Sequence, residues 1–201
     1  MLNKNIYPLI PIEVQKQVSS VILNSKKLLL FGVGEVRMTD DGFGPYISYN
    51  IRDLNIDNVL VINGKTDYAE RKQEIIDFNP DTILILDTCN SSDPPGTVIF
   101  AEEDKFVDWI PISSHVIPIH VFIMELRLAL PNLKSYLLGI NPEFVDSPPE
   151  LNPFMPEKYT LEDFDEDPDL PFYEITLTPI IQKAADEVIK FLRNSLHSQK
   201  T

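Results

Sequence analysis

Apolar residues fall along this chain in two alternating rhythms. Residues 12–26 place Val14, Val18, Val21 and Ile22 on one helical face and Gln15, Lys16 and Gln17 on the other, which predicts an amphipathic helix. Residues 27–33 then carry the unbroken run Leu28-Leu29-Leu30-Phe31, as expected of a strand buried on both faces. The alternation continues. A helix is predicted over 44–54, with Tyr46, Ile47, Asn50 and Ile51 at helical spacing, and a strand over 58–63 through Val59-Leu60-Val61-Ile62. A short helix over 68–78 is closed by Asn79-Pro80, and an apolar strand over 82–86 ends at Asp87. After the turn Pro94-Pro95-Gly96 come a strand over 97–100 and a helix over 116–130, with Ser113 or Ser114 as its cap and Pro118 in its tolerated first turn. A strand over 136–140 follows. The last helix opens at Thr178-Pro179, a cap followed by proline, and runs to about residue 196. Uniformly apolar strands alternating with helices predict a mostly parallel sheet covered by helices on both faces. No internal repeat is present.

Composition narrows the picture. A chain of 201 residues sets one domain, 1–201, as the default. Residues 1–26 then read as an N-terminal helical extension that adds a layer. No apolar run approaches the length of a membrane span. The residues Met1-Leu2-Asn3-Lys4-Asn5-Ile6 lack the apolar block of a secretory signal. Cys89 stands alone, which excludes an internal disulfide and fits a reducing cytoplasm. A net charge of −14 argues against a nucleic-acid partner, whose phosphates would be repelled. The charge is concentrated: residues 146–174 hold ten acidic residues, one base (Lys158) and six of the seventeen prolines. This segment reads as an irregular insertion. It is either a solvated loop or a docking surface for a basic partner, and Phe154, Met155, Tyr159, Phe164, Phe172 and Tyr173 keep the second reading open.

Candidate chemistry collects at strand ends. The loop Gly32-Val33-Gly34-Glu35-Val36-Arg37-Met38-Thr39-Asp40-Asp41-Gly42-Phe43-Gly44-Pro45 follows the first strand and carries paired carboxylates. Asp87 ends the third strand, and His115 opens the helix after Ser113-Ser114. In an open parallel sheet the C-terminal ends of different strands converge on one edge, where ligands bind. Two carboxylates and an imidazole there form a three-ligand site for a hard or borderline cation. Each piece has an ordinary alternative. Asp87 reads also as a cap, Asp40-Asp41-Gly42 as a turn, and His115 as a structural histidine. Such ligands are expected at the rim of the fold, outside the core. Arg37 is open between holding a carboxylate and forming a surface pair. Cys89 reads as a small buried or loop residue, and His120 as packing or solvent-facing. Gly32-Val33-Gly34 is half of a dinucleotide fingerprint, but the third glycine is misplaced and Asp40-Asp41 would repel a pyrophosphate.

Taken together these motifs resemble the hydrogenase maturation endopeptidases. That family's pattern is a strand followed by Gly-x-Gly-Asn-x-Leu-x-x-Asp-(Asp/Glu)-Gly-x-Gly, matched here from Gly32 to Gly44. Its second element is an apolar strand ending in aspartate and then a proline–glycine turn, here Ile83 to Asp87 and Pro95-Gly96. The third is Ser-x-His before a helix, here Ser113-Ser114-His115. The resemblance spans about residues 27–143 and resumes in the last helix. It implies a three-layer α/β/α sandwich with a twisted, mostly parallel sheet of about five strands. It also implies metal-contacting residues at Asp41, Asp87 and His115, and removal of a C-terminal extension from the large-subunit precursor of a nickel–iron hydrogenase. The nickel would be that of the precursor, for which cadmium could substitute. It would act as a Lewis acid on the scissile carbonyl or on a bound water, with Asp40 helping to orient that water. Two of the departures from the pattern matter. Glu35 stands where the family has asparagine, and the acidic insertion replaces a shorter connection. A catalytically silent assembly accessory of the same fold and an unrelated α/β metal hydrolase are the competing readings.

Overall fold

The structure, a computed structural model, describes residues 10–105, 118–148, 150–153, 159–167 and 169–198, apart from the side chains at 161, 164 and 165. Its centre is a five-stranded sheet. The strands are β1 (Leu28–Val33), β2 (Val59–Lys65), β3 (Thr82–Thr88), β4 (Val98–Glu102) and β5 (Lys134–Ile140), in the order β2-β1-β3-β5-β4. The pairs β1/β2, β1/β3 and β3/β5 are parallel, and β4 is an antiparallel edge on β5. The mostly parallel sheet of the sequence reading is therefore present. Every residue of β1 and β3 is buried, as their unbroken apolar runs require.

Successive strand residues feed opposite faces. Leu28, Leu30, Leu84, Leu86, Leu138 and Ile140 pack under α1 (Ile12–Asn24), α2 (Phe43–Ile51) and α6 (Pro179–His197). Leu29, Phe31, Ile83, Ile85 and Leu137 pack under α3 (Lys72–Phe78) and α4 (Ile119–Ala129). Helix α1 is not a further layer. Its stripe Val14, Val18 and Ile22 is buried in the same cluster as α2 and α6 and reaches Val98 and Phe100 of β4, so it completes the cover of that face at the antiparallel edge. Among the described residues no helix is long and apolar enough to cross a membrane.

The acidic stretch is not wholly irregular. Thr160 and Asp163 form a reciprocal cap on the short helix α5 (Leu161–Glu166). Beyond it the chain is pinned to the C-terminal end of β2. Asp169 accepts the backbone N–H of Asn63 at 3.1 Å and the Arg71 guanidinium at 2.6 Å, and Lys65 Nζ donates to the Leu170 carbonyl at 2.9 Å. Arg52 reaches both Asp167 and the Tyr159 hydroxyl. Cations spread over β2 and its flanks thus hold a segment whose composition alone reads as solvated.

Candidate active site

The site is built where β1 and β3, neighbours in the sheet, end together. The chain leaves β1 through Gly34, whose φ of +139° no side chain tolerates and whose Cβ would lie 1.9 Å from the Asp41 carbonyl oxygen. It closes into a 3-10 turn, Thr39–Gly42, entered by Thr39 in the left-handed region at φ +46°. Helix α2 then starts hard against the sheet. A Cβ on Gly44 would lie 2.1 Å from the carbonyl oxygen of Leu86, so only glycine brings the helix that close. This approach sets the Asp40-Asp41 turn beside the end of β3.

Asp41 and Asp87 meet through Thr88. The Thr88 backbone N–H donates to Asp87 Oδ1 at 2.7 Å, and its hydroxyl donates to Asp41 Oδ1 at 2.8 Å. Asp41 Oδ2 accepts the backbone N–H of Glu35 at 2.8 Å, which fixes the loop after β1 onto the pair. Neither carboxylate is at a rim: Asp87 is fully buried and Asp41 is 1% exposed. The rim expectation is corrected here: α2 starts hard against the end of β3, and the Glu35 N–H closes the loop after β1 onto Asp41. Burial raises the proton affinity of each. Asp41 is held above the ordinary carboxylate range mainly by desolvation, and Asp87 well above it by desolvation and then by the Asp41 charge. Asp87 Oδ2 is buried with no hydrogen-bond partner among the described residues. Two desolvated carboxylates with an unsatisfied oxygen suit a proton or a divalent cation, whose charge removes the repulsion between them.

Asp40 is turned to a different task. Its Oδ1 accepts the Thr178 backbone N–H at 2.7 Å. Its Oδ2 accepts the Thr178 hydroxyl at 3.0 Å and the N–H groups of Glu143 and Phe144 at 3.0 and 2.8 Å. The expected role of orienting a water does not fit this geometry: all four contacts are internal, and the side chain is fully buried. Asp40 ties the turn to the loop after β5 and to the start of α6. His115, the expected third ligand, lies outside the described residues, as do Ser113 and Ser114. Among the described residues no group of three or more His, Cys, Asp or Glu side chains is arranged to hold a metal ion.

Glu35 replaces an amide without loosening the loop. Its Oε1 accepts the Arg37 backbone N–H at 3.1 Å and the Arg37 Nε at 3.0 Å, and Oε2 accepts Nη2 at 2.5 Å. Arg37 therefore forms a local pair, with its side chain half exposed. Cys89 is fully buried, and burial beside Asp87 and Asp93 pushes its thiol far up, which leaves it inert. His120 is exposed. Two participants escaped the sequence reading. Thr88 is one. The other is Tyr68, a buried phenol packed on Phe31 and Phe122, whose proton affinity rises through desolvation and then through the Asp87 charge.

No protein-family model matches the chain. A Methanocaldococcus jannaschii protein named as a candidate hydrogenase maturation protease is 27% identical over 131 residues, covering 61% of this chain and 76% of that protein. The hydrogenase 3 maturation protease of Escherichia coli K12 is 26% identical over 117 residues, covering 58% of this chain and 74% of that one. Among solved structures, the [NiFe] hydrogenase maturation protease HycI from Thermococcus kodakarensis KOD1 superposes with a TM-score of 0.67 at 15% identity, over 90% of this chain and 99% of that one. The solution structure of the endopeptidase HycI from Escherichia coli gives 0.59 at 21% identity, over 82% and 87%. The structural likeness establishes a shared fold.

Proposed function

We infer that this chain, which resembles the hydrogenase maturation proteases in sequence and in fold, is a processing endopeptidase. Its substrate on this reading is the large-subunit precursor of a nickel–iron hydrogenase, from which it removes the C-terminal extension in the cytoplasm. The observation that carries the reading is the Asp41–Asp87 pair: two buried carboxylates, one from the turn after β1 and one at the end of β3, joined by Thr88, with Asp87 Oδ2 unpartnered among the described residues.

The precursor's own nickel is the cation that this pair would meet, and His115 is the proposed third ligand. A metal held there supplies Lewis-acid polarisation to the scissile carbonyl or to a water. The chain's residues do the rest. Glu35 N–H and Thr88 Oγ1 lock the Asp41 rotamer. Asp87 Oδ2 is the atom at which a proton or a cation is taken up. Asp40 holds the turn that carries Asp41, and does not touch the reacting groups. Glu35 and Arg37 brace the loop whose Glu35 N–H holds Asp41.

The test is incubation with a nickel-loaded precursor, beside an active maturation protease as positive control, with the shortened product read by mass spectrometry. Cleavage by the native chain, lost in Asp87→Asn, is expected. A folded native chain that leaves the precursor intact while the control cleaves it overturns the reading. Stable complex formation without product would instead identify an assembly accessory.

A further inference from the structure

The strand-like stretch between the acidic insertion and α6 has a use that the carboxylate pair does not absorb. Tyr173 forms an antiparallel bridge with Pro153, and the Glu174 N–H donates to the Asn152 carbonyl at 2.8 Å. The ladder stops there. Thr178 N–H is already taken by Asp40, and among the described residues the backbone groups of Ile175, Thr176 and Leu177 make no hydrogen bond. The side chains alternate: Glu174 and Thr176 are exposed, Leu177 is buried and Ile175 half-buried. A segment that follows a bridge and leaves its N–H and C=O groups unpaired is a template for another strand.

The same segment walls a cleft of about 420 Å³ whose opposite side is Tyr46, Tyr49 and Asn50 of α2, with Gln182 of α6. Its charge is negative. Glu174 lines it, and Asp186 lies just behind, accepting from the Tyr46 hydroxyl and from Gln182. The neighbouring cation Arg52 is engaged with Asp167 and the Tyr159 hydroxyl, and its guanidinium lies over the Tyr49 ring, 4.4 Å from the centroid. The Tyr46 ring beside Asp186 and Glu174 suits an ammonium or guanidinium group, as the Tyr49 ring suits Arg52. The segment also abuts the catalytic turn: a Cβ on Gly42, the residue after Asp41, would lie 2.7 Å from Ile175 Cγ2.

We propose that residues 174–177 are a docking strand, onto which an extended, basic segment of the precursor adds by backbone pairing, with a cationic side chain seated between Tyr46 and Glu174. This rests on the peptidase reading and names the chemistry by which the precursor is held beside the site.

The probe is a short peptide in which valine alternates with lysine, added to the full chain. It is compared with the same peptide N-methylated at alternate residues and with a valine–glutamate version. The first is expected to slow hydrogen exchange at the amides of 175–177. The other two, and the first peptide on Glu174→Lys, are expected to bind roughly tenfold more weakly or worse. Equal binding by the N-methylated or acidic peptide, or binding without protection at 175–177, overturns the docking strand. Failure of the two readings is separable. Protection without any processing of precursor retains the docking strand and removes the peptidase. Processing at the native rate by Glu174→Lys, with 175–177 unprotected, does the reverse.

Discussion

Asp40→Asn is the most informative single change, because it removes one oxygen from a fully buried hub without altering its size. The native carboxylate accepts four hydrogen bonds, from Thr178 N–H and hydroxyl and from the N–H groups of Glu143 and Phe144. An asparagine has one acceptor oxygen and two donors. Placed to keep the three contacts of Oδ2, it turns its NH₂ toward the Thr178 N–H, 2.7 Å from the old Oδ1. Donor then faces donor at the N-terminus of α6, where a negative charge had been favourable. The opposite orientation forfeits the three bonds to Oδ2 to keep the one to Oδ1. Bonds to a charged group contribute about 1.5–3 kcal/mol each, and a buried donor left without a partner costs about 1–3 kcal/mol. With one bond lost, one clash introduced and the remaining bonds weakened by loss of charge, the variant should lose about 3–5 kcal/mol.

That loss is a large share of the roughly 5–15 kcal/mol available to a domain of this kind. Urea unfolding followed by circular dichroism measures it as a shift in midpoint at unchanged slope. Hydrogen exchange gives the local signature: the amides of Glu143, Phe144 and Thr178 should lose protection more than those of β3. A loss below about 1 kcal/mol, with those three amides as protected as in the native chain, would refute the view of Asp40 as a clamp.

Asp87→Asn should act in the opposite sense on stability. Because the folded pKa of Asp87 lies above its unfolded value, its favourable contribution is complete below the unfolded pKa and is lost as pH rises through the folded one. As pH rises above the unfolded pKa the native chain must either hold a proton on Asp87 or bury a charge beside Asp41, so at neutral pH the variant should melt higher, with the difference shrinking toward about pH 4; a lower melting temperature at neutral pH would contradict this. Arg71→Ala removes the guanidinium that holds Asp169 and Glu74, at about 1–3 kcal/mol, and should expose residues 159–175 to proteolytic nicking before the sheet unfolds. Nicking at the native rate would show that the acidic segment is held by other contacts. Gly44→Ala places a methyl 2.1 Å from one backbone oxygen and 2.4 Å from another, so no folded protein is expected in expression trials, whereas a soluble variant with native melting would show that α2 can retreat.

The parts of this fold that the amino-acid order discloses are those governed by local physics. A strand buried on both faces must be apolar throughout, so β1 and β3 stand out as runs, and Asp87 is visible because it breaks one. The direction of β4 is not visible in this way. Its run Val98-Ile99-Phe100 is equally apolar in either orientation, and the antiparallel edge follows from where β5 inserts between β3 and β4. The partners of Asp40 lie 103 to 138 residues away, so nothing near Asp40 distinguishes a clamp from a water-orienting base. Thr88 reads as the end of a strand until β1 and β3 are paired and its hydroxyl falls on Asp41. The acidic insertion misleads for a related reason. Its composition sums charges, whereas its docking depends on single carboxylates meeting Arg71 and Arg52. The two aspartates of the motif therefore divide the labour in a way that spacing cannot reveal. The side chain of Asp40 is spent on holding distant segments together, and that fixed turn presents Asp41 to Asp87. The arrangement makes a specific demand: loosening the Asp40 contacts should disturb the Asp41–Thr88–Asp87 link, while replacing Asp87 should leave the Asp40 contacts intact.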